Sequence, residues 1–367
     1  MAKKEYEVKD HQLSITYLHV WLKVLMQNKI SSSKYAIVFR TWLFVLFSSP
    51  FQLLQRILFY FPIKREDIHT KSPLFILGHW RSGTTHLHYI LSKDKQFNYV
   101  TNYQAFLINI SLIGRTWLKV LLRPLLPHKR PQDNVKLTTE DPAEDEQPFS
   151  NQSAYTGIYI FYFPKRILYH ERYHLFRQIK PFQKRRWRRD YIWLLKTISY
   201  VNGGGKRLLS KNPHNTSRVK ELLEIFPQAK FVFIHRNPYD TYVSMQHHYK
   251  KVLSTQFLQD FSQEEIDERI LYMYETMMQK YIDERAMIPK ENIIEIGFDE
   301  LDKNPLEITK QIYAHLNLSI EEALCHIETY LSSVKNYEKN KFELAPEIKD
   351  KIYQRWKFTF AEWGYER

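Results

Sequence analysis

Short apolar runs alternate with segments of helical periodicity along most of this chain. Four runs are typical of buried parallel strands, at residues 73–77 (PLFIL), 207–209 (RLL), 230–235 (KFVFIH) and 292–296 (NIIEI). Helical spacing follows at residues 84–92, 215–226, 264–286, 305–316 and 346–363. Strand, helix and strand in this order predict right-handed crossovers and a parallel sheet. We therefore expect an α/β fold, a parallel sheet flanked by helices, that binds ligands at the carboxyl ends of its strands.

The most apolar stretch, residues 35–62, is interrupted by Arg40, Pro50, Gln52 and Arg56 before about 20 apolar residues are complete. The pattern favours two helices packed on the core over a membrane-spanning helix. A pair of helices lying in a membrane interface stays open as an alternative, because aromatic residues and arginines alternate there.

The domain organisation follows from these patterns and from the absence of repeats. We expect an N-terminal, partly apolar helical segment at residues 1–70. One domain should follow at residues 71–367, with a helical insertion at about 103–200 around the site of an acceptor. Gly203, Gly204 and Gly205 predict a turn before a strand.

Charge and cysteine content narrow the class of partner and compartment. The 54 Lys and Arg residues against 40 Asp and Glu residues give a net charge of +14, which favours an anionic partner. The single cysteine, Cys325, excludes an intramolecular disulfide and fits a reducing compartment. The N-terminal residues lack the apolar core of a secretory signal. We therefore expect a cytoplasmic protein and leave open a peripheral association with the inner face of the membrane.

The first predicted strand runs into a glycine-bounded turn, Gly78-His79-Trp80-Arg81-Ser82-Gly83-Thr84-Thr85, and then into a helix. This layout predicts a phosphate loop, in which backbone N–H groups and a helix N-terminus face a phosphate oxygen. The signature GxxxxGK[ST] of nucleoside triphosphatases becomes GxxxxGTT here, so its phosphate-binding lysine is missing. Arg81 supplies the positive charge instead. A nucleotide kinase is thereby disfavoured and remains the alternative enzyme class.

The strand predicted at residues 230–235 ends in an arginine, where a magnesium-binding protein of this layout would carry a carboxylate. Arg236 and Ser244, eight residues later, are placed to meet at a second phosphate. Pro238 and Asp240 are typical of the start of the helix between them. Two phosphate sites without a metal ligand suit a nucleotide with anionic groups at both ends.

These two motifs resemble those of the PAPS-dependent sulfotransferase superfamily, where PAPS is 3′-phosphoadenosine-5′-phosphosulfate. WRSGTT resembles its 5′-phosphosulfate loop, and Arg236 through Ser244 resembles its 3′-phosphate motif. The bacterial branch with GHWRSGTTHLH, RPxDN…EDE and KNY…K segments is the most similar, and the likeness covers roughly residues 70–365. The resemblance implies sulfuryl transfer from PAPS, as co-substrate and without a metal, to a hydroxyl or amine of an acceptor.

The resemblance also implies a set of nucleotide-binding residues. Phe298, in FDEL, matches an aromatic residue that stacks on the base, and residues 335–339 match a basic loop that closes on the 3′-phosphate. For that loop, a solvated charged linker stays open as the alternative. The full set is Arg81, Ser82, Gly83, Thr84, Thr85, Arg236, Ser244, Phe298, Lys335, Tyr337 and Lys339.

Sulfuryl transfer needs cations around the transferred group and a base for the acceptor proton. Our candidates for the cations are Arg81 and Lys211. Lys211 follows the strand predicted at residues 207–209, where related enzymes carry a lysine. Our first candidates for the base are Glu144 and Glu146, in a cluster of carboxylates that raises the pKa of at least one member. An acidic helix start is the alternative for that cluster. The second candidate is His214. In cytosolic sulfotransferases the lysine opens a K-T-H motif whose histidine is the base, whereas here Pro213 stands at the equivalent position and the histidine follows one residue later.

The basic run 184–189 (KRRWRR) allows a non-enzymatic alternative, a module that binds a membrane or nucleic acid. A solvated helix face explains such a run more simply, and we do not expect nucleic acid as a partner. The nucleotide motifs leave the acceptor open, including a carbohydrate. The apolar, basic and aromatic character of residues 35–62, 105–127 and 159–193 favours a lipid-linked or amphipathic acceptor over a highly charged polysaccharide.

Overall fold

The computed structural model describes residues 11–115, 118, 120, 138–334 and 344–367. The strands are β1 Leu74–Leu77, β2 Phe97–Asn98, β3 Arg207–Lys211, β4 Lys230–His235 and β5 Ile293–Gly297. The helices are α1 Leu18–Gln27, α2 Tyr35–Arg65, α3 Thr84–Leu91, α4 Asn102–Leu107, α5 Glu146–Gln152, α6 Tyr159–Tyr162, α7 Ile167–His170, α8 Pro181–Val201, α9 Val219–Ile225, α10 Pro238–Lys251, α11 Gln263–Arg285, α12 Phe298–Lys303, α13 Pro305–His315, α14 Glu321–Ser333 and α15 Pro346–Trp363.

The five strands form a parallel sheet in the order β2-β3-β1-β4-β5. Leu74 of β1 pairs with Leu209 of β3 on one side and with Lys230 of β4 on the other. The residues of β1 are completely buried, as expected for a central strand covered by helices on both faces. The predicted α/β fold with a parallel sheet is thus confirmed. The sequence pattern missed β2, because two residues are too few to show a period.

The chain forms two compact units that alternate along the sequence. Among the described residues, the first unit comprises those within 1–68, 99–205 and 248–262, and the second comprises those within 69–98, 206–247 and 263–367. The sheet lies entirely in the second unit. The described residues of the helical insertion and of the N-terminal segment up to residue 68, which the sequence predicted as separate parts, all belong to the first unit.

The prediction of two helices within residues 35–62 is wrong, because α2 runs through Pro50 and Pro62 as a single helix of 31 residues. A proline inside a helix removes one hydrogen bond from the preceding turn. Here the hydroxyls of Ser48 and Ser49 donate to the carbonyls of Phe44 and Val45, each at 2.6 Å, and so stabilise the turn before Pro50.

The side chains of α2 are distributed in the reverse of the usual order. The buried residues are mostly polar: Thr41, Val45, Ser48, Gln52, Gln55 and Ile63. The exposed residues include large apolar side chains: Tyr35, Phe39, Leu43, Phe44, Leu46, Phe47, Phe51, Leu53, Leu54, Ile57, Leu58 and Phe61. We call these exposed residues the apolar face of α2. The expectation that this segment packs its apolar side chains on the core is therefore also wrong.

The buried amides of α2 bond to the rest of the first unit. The Nε2 of Gln55 donates to the carbonyl of Ile108 at 2.9 Å, and its Oε1 accepts from the backbone N–H of Leu112 at 2.8 Å. The Nε2 of Gln52 donates to the carbonyl of Thr16 at 3.3 Å. Buried polar groups with partners of this kind specify which side of a helix faces the protein. These contacts explain why the apolar face of α2 faces outward.

Candidate active site

The loop after β1 has the tight curl expected of a phosphate loop. Gly83, which precedes α3, has φ 101°, and Arg81 adopts the left-handed conformation with φ 71°. The hydroxyl of Thr216 accepts from the N–H of Gly78 at 2.8 Å and donates to its carbonyl at 3.1 Å. This clamp fixes the first residue of the loop. Nothing in the spacing of the motif pointed to Thr216.

Gly83 lies in close contact with Phe298, the predicted base-stacking residue at the start of α12. A Cβ on Gly83 would come within 2.3 Å of Cδ2 of the Phe298 ring. The guanidinium carbon of Arg236 lies 4.6 Å from the centre of the same ring, on its face. The structure therefore brings together residues from three separate predicted segments, which follow β1, β4 and β5.

The two predicted phosphate motifs are joined by hydrogen bonds. The Nε of Arg81 donates to Oγ of Ser244 at 2.9 Å, and Nη1 of Arg236 donates to the carbonyl of Arg81 at 3.2 Å. Arg236 also lies 3.6 Å from a carboxylate oxygen of Asp240, which is 57% exposed. A half-solvated carboxylate at that distance offsets only part of the charge of Arg236. Positive charge therefore predominates around Arg81 and Arg236.

Lys211, at the end of β3, lies beside the first turn of α3. It is buried, and its Nζ donates to Oγ1 of Thr85 at 3.3 Å. His88, one turn further along α3, is also buried. Burial, and secondarily the charge of Lys211, holds the pKa of His88 well below its usual range. His88 is therefore neutral at neutral pH.

His214 is buried beside the same loop. Its ring meets that of Trp80 edge to face, with the ring centres 4.8 Å apart. Trp80 also contacts His79, whose Nδ1 lies 2.8 Å from the carbonyl of Trp80. Burial lowers the pKa of His79 to about 4. His79 is therefore neutral at neutral pH, and its contacts are those of a packing residue.

Glu144 and Glu146 belong to the first unit. Glu146 begins α5 and is buried, and its Oε1 accepts from the hydroxyl of Thr156 and from the N–H of Gly157, both at 2.7 Å. Glu144 is half-buried in the preceding loop. The predicted basic loop with Lys335, Tyr337 and Lys339 lies outside the described residues, as do residues 130–137 of the RPxDN…EDE segment.

Comparison with known proteins establishes the family. A family model described as "Sulfotransferase family" matches residues 73–322, which is more than half of the chain. The chain belongs to this family. The resemblance inferred from the two phosphate motifs is thus confirmed, and the protein is a sulfotransferase.

Mycobacterial sulfotransferases are similar to this one over nearly its whole length. The omega-hydroxy-beta-dihydromenaquinone-9 sulfotransferase Stf3 of Mycobacterium bovis is 28% identical over 351 residues, covering 95% of this chain and 89% of the relative. Among solved structures, sulfotransferase STF9 from Mycobacterium avium gives a TM-score of 0.67 at 18% identity, covering 86% of this chain and 82% of that one. STF1 from Mycobacterium tuberculosis gives 0.63 at 17% identity, covering 92% and 90%. These structures support the fold of this sulfotransferase.

Proposed function

We propose that this sulfotransferase takes a sulfuryl group from PAPS and transfers it to a hydroxyl or amine of a lipid-like acceptor. The observation that supports the donor is the cluster in which Arg81 bonds to Ser244 and Arg236 bonds to Arg81. Arginines and hydroxyls at the ends of neighbouring parallel strands suit a nucleotide with separate anionic groups. PAPS would supply the sulfuryl group, and no metal is needed to hold it in this proposal.

Each end of the nucleotide has its own set of residues in the proposal. The backbone of the loop from Ser82 to Thr85, with Arg81 and Lys211, would hold the 5′-phosphosulfate. Arg236 and Ser244 would hold the 3′-phosphate, and Phe298 would contact the base. Lys335, Tyr337 and Lys339 remain predicted to close over the 3′-phosphate.

Calorimetry with 3′-phosphoadenosine-5′-phosphate in the presence of EDTA tests the donor site. We expect tight binding by the wild type and a loss of roughly 10- to 100-fold for Arg236→Ala, because a charged hydrogen bond contributes about 1.5–3 kcal/mol. Arg355→Ala is the matched control, since Arg355 is engaged by Glu268 and Glu275. Tight binding of ATP with Mg²⁺, and none of the bisphosphate, would instead support a kinase.

The lipid-like acceptor is supported by the apolar face of α2 and by the similarity to the Mycobacterium bovis relative, an omega-hydroxy-beta-dihydromenaquinone-9 sulfotransferase. We infer that the acceptor is an amphipathic molecule that carries a hydroxyl or amine. A transfer assay with radiolabelled PAPS against extracted lipids, glycans and small metabolites tests this. Label in the lipid fraction is expected, and label only in the glycan fraction would contradict the proposal.

We infer further that the protein is cytoplasmic and associates with the inner face of the membrane through α2. By length and composition, one helical stretch in the described part of the chain is apolar enough to cross a membrane: Ser32–Arg65, which consists of a 3-10 turn and α2. Only 22% of its apolar part is buried. At about 1.5 Å per residue, α2 is longer than the hydrocarbon core is thick. Its polar residues bond along its buried side, which supports a helix that lies along the surface. Flotation with lipid vesicles tests this proposal, and protein that remains at the bottom of the gradient would contradict it.

A further inference from the structure

A cavity of about 490 Å³ opens beside α2 in the first unit. Its walls come from α1, α2, the loop after α5 and α8. Its size is within the range of small-molecule sites. Four cationic side chains line it, Lys23, Arg56, Arg186 and Arg189, against one carboxylate, Asp190.

The one carboxylate in the wall is already engaged. Asp190 accepts from Nη2 of Arg189 at 2.7 Å and from the hydroxyl of Ser153 at 2.8 Å. In the described part of the chain, no carboxylate lies within ion-pair distance of Lys23, Arg56 or Arg186. The positive charges of Lys23, Arg56 and Arg186 are therefore available to bind an anionic ligand.

Aromatic side chains, rather than acids, orient two of these cations. The guanidinium carbon of Arg56 lies 4.5 Å from the centre of the Trp193 ring and 5.8 Å from that of Tyr17. The Nζ of Lys23 lies 3.9 Å from the centre of the Tyr155 ring and donates to its hydroxyl. Contacts with ring faces hold a cation in place without neutralising it, so both side chains keep their charge for an anion.

The pKa of one histidine reflects the positive charge of the cavity wall. His19 also lines the cavity, and burial lowers its pKa, with Arg56, Arg186 and Lys23 adding to the effect and Asp190 opposing it. The cavity is also continuous with the apolar face of α2. Leu53 lines the cavity and is 62% exposed on that face. An anionic group in the cavity can therefore be attached to an apolar chain that lies along α2.

We propose that this cavity binds the headgroup phosphate of an anionic membrane lipid, whose acyl chains lie against the apolar face of α2. The proposal rests on the proposed membrane association and adds a specific lipid site to it. A phosphate offers oxygens to Arg56 and Arg186 together, which suits the planar, multidentate donors of arginine. A membrane lipid, rather than a free anion, is favoured because the positive wall continues into an exposed apolar surface.

Two pairs of substitutions on α8 test the proposal. Arg186→Gln with Arg189→Gln removes two charges from the cavity wall. Arg185→Gln with Arg188→Gln removes two charges from neighbouring exposed positions outside it and serves as the matched control. Binding of each pair is measured to phosphatidylcholine vesicles with and without phosphatidylglycerol. Both pairs should lose the same general attraction to the anionic surface.

The cavity pair should lose at least about tenfold more affinity for the phosphatidylglycerol vesicles than the control pair, because charged hydrogen bonds are made only in the cavity. Equal losses for the two pairs would overturn the site and indicate a diffuse basic surface. Inorganic phosphate that binds as tightly as the lipid, at equal phosphate concentration, would overturn the lipid source. Binding to pure phosphatidylcholine vesicles and to 3′-phosphoadenosine-5′-phosphate should be unchanged in both pairs. A wild type that does not bind the phosphatidylcholine vesicles, or does not bind 3′-phosphoadenosine-5′-phosphate, would instead contradict the proposed function.

Discussion

Single residues decide the shape of the donor loop in this sulfotransferase. Two features require a glycine at position 83. Its φ of 101° disfavours a side chain, and the ring of Phe298 occupies the space of a Cβ. Thr216 clamps Gly78 from a different segment of the chain. The loop is therefore shaped by contacts beyond its own motif.

Gly83→Ala should destabilise the protein and weaken nucleotide binding. The substitution adds backbone strain of about 1 kcal/mol or more and an overlap with Phe298 that costs about 1–3 kcal/mol. Gly203→Ala is the matched control, since Gly203 has φ 93° and nothing within 4 Å of its Cβ position. Urea unfolding should show the larger loss for Gly83→Ala. Equal losses would mean that Phe298 moves aside without cost.

The identity of the general base is also a question of single residues. If Glu144 or Glu146 is the base, its glutamine variant should lose about 10²–10⁴-fold in turnover and keep its affinity for the nucleotide. Because Glu146 accepts two hydrogen bonds in the first unit, Glu146→Gln also needs a stability measurement. Nearly full turnover in both glutamine variants, beside an inactive His214→Ala, would assign the role to His214.

At the scale of elements, the sequence predicted the parts that have strong local signals. The strands β1 and β4 were visible as apolar runs, and the loop between β1 and α3 was visible from the spacing of its glycines and threonines. The favoured prediction for α2, helices packed on the core, missed the direction in which its apolar side chains face, because an apolar pattern is read as facing a protein core. The alternative of helices in a membrane interface had left that direction open. That direction depends on Gln52 and Gln55, whose partners lie far away in the sequence.

Charges on the apolar face of α2 should release the protein from membranes. Phe47 and Phe51 are 75% and 43% exposed. Phe47→Glu with Phe51→Glu should lower the affinity for vesicles at least about tenfold, since embedding one phenylalanine contributes about 1.5–3 kcal/mol. Unfolding in lipid-free buffer should be little changed. Met287→Glu, at an exposed apolar residue of the second unit, is the control. A large loss of stability with unchanged vesicle binding would mean that this face packs against protein.

At the scale of the whole molecule, the chain passes several times between its two units, so neither unit is a contiguous segment. The second unit carries the sheet and the candidate donor site. The first carries α2 and the cationic cavity. Buried histidines occur in both, with His11 and His170 in the first and His79 in the second. Acid that protonates these histidines should therefore destabilise both units.

The protein should lose stability as the pH falls from about 6.5 towards 4. Burial lowers the pKa of His11 and His79 to about 4 and, with Arg166 and Arg172 nearby, that of His170 to about 3. The unfolded chain takes up these protons first, so acid favours unfolding, by up to about 1.4 kcal/mol per pH unit for each histidine. Urea unfolding at pH 7 and pH 5 measures the effect. His79→Gln should show a shallower pH dependence, and stability that stays constant over this range would refute the assignment.

The left-handed backbone of Arg81 has a consequence for the evolution of this enzyme. An arginine held at φ 71° costs about 1–2 kcal/mol, which glycine would not, and asparagine would tolerate better. Either replacement would remove the guanidinium that bonds to Ser244. Variants selected only for heat resistance should therefore carry glycine or asparagine at position 81 more often. Variants selected for turnover should carry arginine there. A trade-off between thermal tolerance and activity should therefore be measurable at position 81.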